Sequence, residues 1–434
     1  MAALKIINLC LGAIFFLCYT YQIVYLFIAY IGGIKRHENA SPKKYAVLIA
    51  ARNESGVIKN LLDSLNAQDY PRDCYKVFLV ADNCTDNTAE IARASGAIVY
   101  ERFNQVERGK GYALDYLIKK IECDYADDMP DAYIVFDADN VAEKNYITEI
   151  NKTYSAGYEV VTTYRNASNY GAGWRAAGQG MYFIRDARVL NLARMRIHGS
   201  TFVAGTGFLF SRKLCEEYGG WPFHTLTEDG EFTMHNAVRG VKGGYCHDAV
   251  FYDEQAVDCR TSWYQQLRWC KGGLQIFRKY LGQLARGLFS KKCLSCFDMM
   301  MCLTPAYFLS LTAVVINAVA AVVLLATGES ALDILLVEAK MIAGAYLSLF
   351  MFSSVITISD WKRIKAPALK KIFYIFTFPV FIFSFIPPAF VALFKKVEWK
   401  PIRHSGTPIA STPAAGAENA EAAAEEKDTE HSAK

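Results

Sequence analysis

The segment "YIVFDADN" (133–140) sets two aspartates directly after an apolar run. Side chains at positions i and i+2 of an extended chain lie on the same face, so Asp137 and Asp139 repel each other unless a cation separates them. Carboxylate oxygens are hard ligands that suit Mg²⁺ or Mn²⁺, and such sites often recruit substrate phosphates. The pair therefore predicts a metal site that a substrate diphosphate completes.

Polar side chains also follow two earlier apolar runs. The run 45–50 leads into Arg52 and Glu54, and the run 76–81 leads into Asp82. The segments between these runs have apolar residues at helical spacing, so strands and helices alternate along the chain. Such an alternation forms a parallel sheet with helices on both faces. Ligands of such sheets bind beyond the carboxyl ends of the strands. We therefore expect the three acidic clusters to meet at one edge of the sheet.

A lysine is the predicted phosphate-binding side chain. Lys110 lies in "ERGKGYAL" (107–114), and the sequence has no Gly-rich loop of the Walker type, so we do not expect a P-loop NTPase. Part of the second acidic cluster has a structural alternative, because Asp86 or Thr85 could cap the helix that follows.

The segment "HTLTEDGEFTMHNAVRG" (224–240) predicts a helix whose first turn contains Glu228 and Asp229. The helix dipole favours carboxylates there, so these residues could simply stabilise the helix start. In the functional interpretation they are the catalytic carboxylates, with Asp229 as the general base.

The segment "WYQQLRWCKGG" (263–273) places Gln265 and Arg268 on one helix face, and Trp269 adds an aromatic platform. The alternative is an interfacial amphipathic helix with a snorkelling arginine and a tryptophan at the membrane boundary. The apolar positions of residues 274–289 predict that this helix continues along the membrane interface, with a core helix as the rival.

The ordered set "ARNE", "ADNCTDNT", "GKGYAL", "DAD", "TED" and "QQLRW" spans about residues 43–275. It resembles the membrane-embedded glycosyltransferase family 2, which includes the synthases of cellulose, chitin, hyaluronan and poly-N-acetylglucosamine. The QxxRW motif after TED is its most specific part. The resemblance implies an α/β fold, namely a GT-A-like, Rossmann-type mixed-sheet domain inserted between transmembrane helices.

The resemblance also implies a donor site. Arg52, Glu54 and Asp82 match positions that line the nucleoside pocket of a nucleotide-sugar donor, with Asp82 at the uracil or ribose. Asp137 and Asp139 match the positions that bind the metal and the diphosphate. Mg²⁺ or Mn²⁺ is the implied cofactor.

The acceptor side is implied in the same way. Asp229 matches the base that deprotonates the acceptor hydroxyl, and "FVAGTGFLF" (202–210), with Gly205 and Thr206, matches the segment that positions the acceptor. The matching members of QxxRW hold the diphosphate leaving group and stack on the acceptor sugar; these are Gln265, Arg268 and Trp269.

One base and a metal-stabilised diphosphate suffice for a single in-line displacement at the anomeric carbon, which inverts its configuration. We therefore expect an inverting transferase that extends a polysaccharide from a donor that is UDP-linked, with export through its own spans. The alternative is transfer of one sugar to a lipid acceptor. An inactive nucleotide-sugar-binding secretion component is a third interpretation. Membrane lipid is an expected partner and a nucleic acid polymer is not.

The hydrophobic residues of this 434-residue chain, 53% of the total, are concentrated in four stretches. Each runs for about 19 residues or more, enough to cross a hydrocarbon core of about 30 Å. They are Ile6–Ile34, Leu303–Thr327, Met341–Ser359 and Ile372–Phe394. The first is too long for a signal peptide and has no clear cleavage site, so we expect an uncleaved anchor.

Basic residues flank these stretches on one side of the predicted membrane. Lys35 and Arg36 follow the first stretch, and Lys291 and Lys292 precede the second. The positive-inside rule then places the region between them in the cytoplasm, at the plasma membrane. The predicted domains are an anchor (1–34), a cytoplasmic catalytic unit (35–290), a membrane region of about three spans (295–396) and a disordered Ala/Glu-rich tail (405–434). The catalytic unit ends in interfacial helices at 263–290.

Overall fold

The computed structural model describes residues 2–303 and 308–398. The predicted tail (405–434) and a short part of the second predicted span (304–307) lie outside the described residues. The described residues form a sheet-containing unit and the apolar helices on either side of it.

Eight strands form one mixed sheet within these residues, in the order β3-β2-β1-β4-β7-β6-β8-β5. They are β1 (Tyr45–Ala51), β2 (Tyr75–Asp82), β3 (Ile98–Arg102), β4 (Ala132–Asp137), β5 (Val141–Ala142), β6 (Val160–Ala167), β7 (Phe208–Ser211) and β8 (Gly243–Asp253). The first four are mutually parallel, as the alternating pattern predicts. Strand β7 runs antiparallel to β4 and β6, which makes the sheet mixed.

Helix α1 precedes the first strand, α2 to α9 lie between strands along the chain, and α10 follows the last strand. They are α1 (Ala2–Ile31), α2 (Ile58–Asn66), α3 (Thr88–Ala94), α4 (Lys110–Asp124), α5 (Tyr146–Ser155), α6 (Trp174–Ile184), α7 (Leu192–Arg196), α8 (Arg212–Tyr218), α9 (Glu228–Arg239) and α10 (Cys259–Gly287). A π-helical segment, Arg185–Asn191, joins α6 to α7.

Alternation along the strands builds a core on each face of the sheet. Val47 and Ile49 of β1 pack with Leu61 of α2 in one cluster, whereas Leu48 packs with Leu117 of α4 in the other. Because successive strand residues point to opposite faces, a strand buried on both sides needs an unbroken apolar run. The sequence of β1 supplies that run.

Five further α-helices follow the sheet within the described part of the chain. They are α11 (Cys293–Leu303), α12 (Ser310–Ala326), α13 (Ala331–Ser359), α14 (Ala368–Phe383) and α15 (Ile386–Phe394). Among the described residues, three helical stretches are long and apolar enough to cross a membrane, namely α1, α13 and the combined stretch Ala368–Phe394. These stretches indicate that the protein is membrane-associated.

The membrane helices differ from the predicted stretches in three places. Helix α12 has 17 residues, fewer than the predicted second span. Helix α13 begins ten positions before Met341, because Ser330 caps it by accepting a hydrogen bond from the Asp333 amide at 3.4 Å. The last stretch divides between α14 and α15, just before Pro387, which has no backbone N–H with which to continue α14.

Helix α10 is one continuous element of 29 residues that includes QQLRW and all but the last two residues of the predicted interfacial segment (274–289). Ile276 and Leu284 are buried in a cluster with Met234 of α9 and Cys296 of α11. This face of the segment packs inside the protein, so the core alternative describes it better than the interfacial one. On its other side, the Gln266 amide donates to Ser384 Oγ at 2.9 Å.

Candidate active site

A cavity of about 2030 Å³ begins at the carboxyl ends of β1, β2 and β4 and extends between the membrane helices. Apart from Thr206, every predicted site residue lines it. These residues are Arg52, Glu54, Asp82, Lys110, Asp137, Asp139, Gly205, Glu228, Asp229, Gln265, Arg268 and Trp269. The fold thus gathers into one space side chains that lie more than two hundred positions apart.

The two aspartates of the DAD segment are placed by a turn rather than by a strand. Strand β4 ends at Asp137, and Asp139 lies in the turn that follows. The same-face argument for an extended chain was therefore wrong in its geometry, although both residues line the cavity. Asn140 donates to Asp139 Oδ1 at 3.1 Å and fixes the turn.

Thr206 lies beneath this turn and not in the cavity. It is 4% exposed. Its hydroxyl oxygen accepts a hydrogen bond from the Asp137 amide at 2.9 Å, and the hydroxyl also contacts Asn140 Oδ1. Thr206 therefore positions Asp137, and direct contact with an acceptor, as expected from the sequence, is not available to its buried side chain.

Lys110 supplies a positive charge to the DAD turn. Its ammonium group contacts Asp137 Oδ1 and donates to the Gly205 carbonyl oxygen at 2.7 Å. Burial raises the pKa of Asp137, but the charge and hydrogen bond of Lys110 outweigh it, so the pKa lies below its ordinary value. Asp137 is therefore anionic at neutral pH.

Close backbone packing brings Lys110 to this position. Gly111 follows it in α4, and a Cβ atom there would lie 2.1 Å from the carbonyl oxygen of Phe223. Since a backbone oxygen cannot move aside, α4 can approach the TED loop only with glycine at this position. The Tyr112 ring then stacks on His224 at 4.1 Å between centroids.

The carboxylates of the DAD segment fit a divalent metal ion whose coordination is completed by the bound substrate. Asp137 and Asp139 offer hard carboxylate oxygens, which Mg²⁺ and Mn²⁺ prefer. No group of three or more His, Cys, Asp or Glu side chains converges on a common point among residues 2–303 and 308–398. The protein would therefore contribute about two ligands, with waters and phosphate oxygens supplying the others.

Asp82 is oriented by an ion pair that the sequence reasoning missed. Its Oδ1 accepts a hydrogen bond from Arg102 at 2.7 Å, and both side chains are buried. Asp82 and Arg102 are register partners at the ends of β2 and β3, so a charged residue at the end of β3 was the available signal. Asp86 instead accepts hydrogen bonds from the Thr88 and Ser55 amides at 3.1 and 3.2 Å, consistent with its structural alternative.

The start of α9 is anchored by a residue other than the two predicted catalytic carboxylates. Glu231 accepts hydrogen bonds from the His224 and Thr225 amides at 3.1 and 3.0 Å. Glu228 and Asp229 face the cavity. A Cβ atom at Gly205 would lie 3.3 Å from Asp229 Oδ2, so Gly205 leaves room beside that carboxylate.

Both carboxyl groups have pKa values shifted toward neutrality. Burial, followed by the charge of Asp229, raises the pKa of Glu228 to about 7. Burial also raises the pKa of Asp229, while Arg268 and Lys110 oppose the shift. A carboxyl group that titrates closer to neutral pH is a better proton acceptor than an ordinary one.

Helix α10 presents the QxxRW side chains to the same cavity. Arg268 donates to the Leu226 carbonyl oxygen at 3.1 Å and so ties α10 to the TED loop. Gln265 Oε1 is buried without a hydrogen-bond partner in the described part of the chain. The Trp269 ring stacks with Phe385 at 6.2 Å, with an interplanar angle of 16°.

A further polar group at the end of β8 was not predicted. Asp253, Glu254 and Gln255 line the cavity. Asp253 pairs with Arg165 of β6, which also donates to the Ala204 carbonyl oxygen at 2.6 Å. The signal was present in "AVFYDEQ", an apolar run that ends in polar residues as β1, β2 and β4 do.

A family profile described as "Glycosyltransferase like family 2" matches residues 42–272. The chain belongs to glycosyltransferase family 2. It is therefore a member of a glycosyltransferase family, with a GT-A-like fold. The resemblance to this family, for which "TED" and "QQLRW" are the most specific motifs, is confirmed.

Two curated relatives are similar to part of this glycosyltransferase. A β-monoglucosyldiacylglycerol synthase from Synechocystis sp. is 26% identical over 54% of this chain and 48% of its own length. A cellulose synthase catalytic subunit from Komagataeibacter sucrofermentans is 24% identical over 51% of this chain and 29% of its own. The chain thus spans about half the length of the first relative and less of the second.

One solved structure is similar over most of the glycosyltransferase. The mannosyltransferase PcManGT from Pyrobaculum calidifontis, solved with GDP-Man and Mn²⁺, has a TM-score of 0.59 and 18% identity. The match covers 90% of this chain and 99% of that one. At this identity the similarity shows a shared fold.

Proposed function

We propose that this glycosyltransferase moves a single hexose from a UDP-linked nucleotide sugar to the hydroxyl group of a lipid acceptor. The observation that carries the proposal is the cavity, which holds the acidic strand ends and also opens between the membrane helices. Phe16 and Ile23 of α1 line it and are 62% and 44% exposed. Apolar residues that are both cavity-lining and exposed mark an opening toward the hydrocarbon of the bilayer.

A lateral opening suits an amphiphilic acceptor. Acyl chains would stay against the exposed apolar edges, because moving them into water is costly. The acceptor hydroxyl would reach Asp229 without leaving the membrane surface. The relative named β-monoglucosyldiacylglycerol synthase gives independent support for a lipid acceptor.

The donor would bind at the strand ends. Its nucleoside would lie near Asp82, and its diphosphate near Asp137, where Lys110 and Arg268 contribute positive charge. Mg²⁺ or Mn²⁺ would be held by Asp137 and Asp139 and, when bound, would stabilise the negative charge of the leaving diphosphate.

The transfer is one displacement. The acceptor oxygen forms a bond to the anomeric carbon while the bond from that carbon to the diphosphate breaks, which inverts the configuration. Asp229 takes the proton of the acceptor hydroxyl. The nucleoside diphosphate departs with the electron pair of the broken bond, and Arg268 lies on the same cavity wall.

Extension of a polysaccharide is the second candidate. The aromatic pair formed by Trp269 and Phe385 offers a platform on which an acceptor sugar could stack, since aromatic faces pack well against apolar surfaces. The relative named as a cellulose synthase catalytic subunit points the same way. Product size distinguishes the two candidates.

The test uses the full chain in membranes with labelled UDP-glucose, UDP-N-acetylglucosamine and GDP-mannose, each with EDTA and with Mn²⁺ or Mg²⁺ restored. We expect one organic-soluble product whose formation needs the metal. A water-soluble ladder would favour polysaccharide extension instead. Asp229→Asn should reduce transfer by about 10²- to 10⁴-fold, whereas Asp63→Asn, at an exposed position of α2, should have no effect.

We also propose that the catalytic unit (35–290) faces the cytoplasm, between an anchor (1–34) and the membrane region (295–396). Arg36 after α1 and Arg363 between α13 and α14 both pair with Asp248, at 2.8 and 3.2 Å. These basic segments thus lie together on the side of the catalytic unit, as the positive-inside rule requires. Protease digestion of sealed inverted vesicles should cleave the catalytic unit, and digestion of right-side-out vesicles should not.

A further inference from the structure

We propose that α1, α12 and α13 form a groove with a layer of polar side chains that binds the saccharide headgroup of a glycolipid in the membrane half opposite the catalytic unit. This inference rests on the proposed lipid acceptor. It adds a second binding site, remote from the catalytic carboxylates, and a route by which the product headgroup crosses the bilayer.

Six of the seven charged or amide side chains of α1, α12 and α13 line the cavity, and Asp333 near the start of α13 is the exception. The six are Lys5, Asn8, Gln22, Asn317, Glu338 and Lys340. Polar side chains are costly in apolar helices and mark ligand or ion pathways where they occur. Their common orientation indicates that the cavity, and not the lipid-facing surface, requires them.

Several of these polar groups have unmet hydrogen-bonding capacity. Asn317 is 6% exposed, and its Nδ2 donates to the Ala313 carbonyl oxygen at 3.0 Å. Its Oδ1, both amide atoms of Asn8 and Oε1 of Glu338 are buried with no hydrogen-bond partner within residues 2–303 and 308–398. Leaving a polar atom buried and unpaired costs roughly 1–3 kcal/mol each. A ligand that hydrogen-bonds to them would remove this cost.

Asn8, Asn317 and Glu338 lie at a similar depth in the membrane region. Tyr30 near the end of α1 hydrogen-bonds Ser359 at the end of α13 at 2.6 Å, so the two helices run in the same direction. At 1.5 Å per residue, Asn8 and Glu338 each lie about 30 Å along their helices from that contact. Asn317 approaches Met341, one turn beyond Glu338, at 3.8 Å. The polar side chains therefore form a layer far from the catalytic unit.

The chemistry of the layer selects its ligand. Asn8 has both a donor and an acceptor without partners in the described residues, whereas the open positions on Asn317 and Glu338 are acceptors. A sugar hydroxyl both donates and accepts, so it satisfies this set, and an acyl chain satisfies none of it. The same cavity contains Asp229, where a hexose would be attached, and the exposed edge at Leu9 leaves space for the acyl chains outside the groove.

The test follows the headgroup directly and needs no transfer. The full chain is reconstituted in liposomes with monoglucosyl diacylglycerol that has a fluorescent NBD-labelled acyl chain, and dithionite bleaches the label in the outer leaflet only. With the wild-type chain we expect nearly complete bleaching, because glycolipid from the inner leaflet reaches the outer one. With Asn317→Leu, alone or with Glu338→Leu, we expect bleaching to stop at about half, as in protein-free liposomes.

The controls separate this proposal from a structural effect and from the proposed function. Val322→Leu, at a lipid-exposed position of α12 (67% exposed), should behave as wild type. NBD-labelled phosphatidylcholine, which has no sugar, should bleach to about half with every chain. Equal movement of both lipids, or unchanged glycolipid movement in a correctly folded Asn317→Leu chain, would overturn the proposal. A wild-type chain that moves the glycolipid but makes no lipid product would contradict the proposed function alone.

Discussion

Replacing Glu228 with glutamine should stabilise the protein at alkaline pH and not at acidic pH. The ordinary pKa of this group is 4.5, and burial together with Asp229 raises it to about 7 in the folded protein. Because the folded state holds this proton more tightly, stability falls as pH rises from 4.5 through 7. At about 1.36 kcal/mol per pKa unit, the fully charged carboxylate costs on the order of 3 kcal/mol. Glutamine has the same shape and no charge to desolvate.

The assay is thermal unfolding of the detergent-solubilised full chain at pH 5 and pH 8.5, followed by tryptophan fluorescence. We expect the midpoint of Glu228→Gln to exceed that of the wild type by several degrees at pH 8.5 and to differ little at pH 5. Glu90→Gln, at an exposed position of α3, should show no difference at either pH. A gain of the same size at both pH values, or none at pH 8.5, would refute the idea that Glu228 is buried with a raised pKa.

Four substitutions test other parts of the site by steady-state kinetics. Asp137→Asn should abolish the stimulation of transfer by added Mn²⁺ or Mg²⁺, since one of two carboxylate ligands is lost. Thr206→Val should lower kcat by roughly 10-fold, because the Asp137 amide loses its 2.9 Å hydrogen bond at a cost of about 1–3 kcal/mol; unchanged kcat would contradict its positioning role. Gly111→Ala should lower both stability and transfer, because its Cβ would lie 2.1 Å from a carbonyl oxygen. Trp269→Ala should raise the KM for the acceptor more than that for the donor, and equal changes would argue against an acceptor contact.

Local patterns in the sequence predicted the parts of the fold that local physics determines. Strand β1 is an unbroken apolar run because both of its faces are buried, and that run is visible in "YAVLIA". By contrast, the length of α13 depends on the Ser330 cap and on packing between helices, so the helix begins ten residues before the apolar stretch that hydropathy identifies.

Side chains that act through distant partners were harder to predict. Arg102 matters because β3 lies beside β2, and Arg165 matters because β6 lies beside β8; neither pairing is written in the local sequence. Thr206 was placed among the acceptor residues because "FVAGTGFLF" matches the segment that positions the acceptor. Its burial under Asp137 depends on the antiparallel pairing of β7 with β4, a contact that a parallel sheet would not provide.

The continuity of α10 links the chemistry of the site to the physical state of the bilayer. A helix of 29 residues is about 43 Å long. Arg268 ties it to the TED loop, while Lys271, one turn away, donates to the Ala392 carbonyl oxygen of α15 at 3.0 Å. Helices that match a thicker or thinner bilayer change their tilt, and a tilt of α15 would be transmitted along α10 to the catalytic carboxylates. The rate of transfer should therefore depend on the length of the surrounding acyl chains, so the bilayer would regulate the proposed transfer of sugar to one of its own lipids.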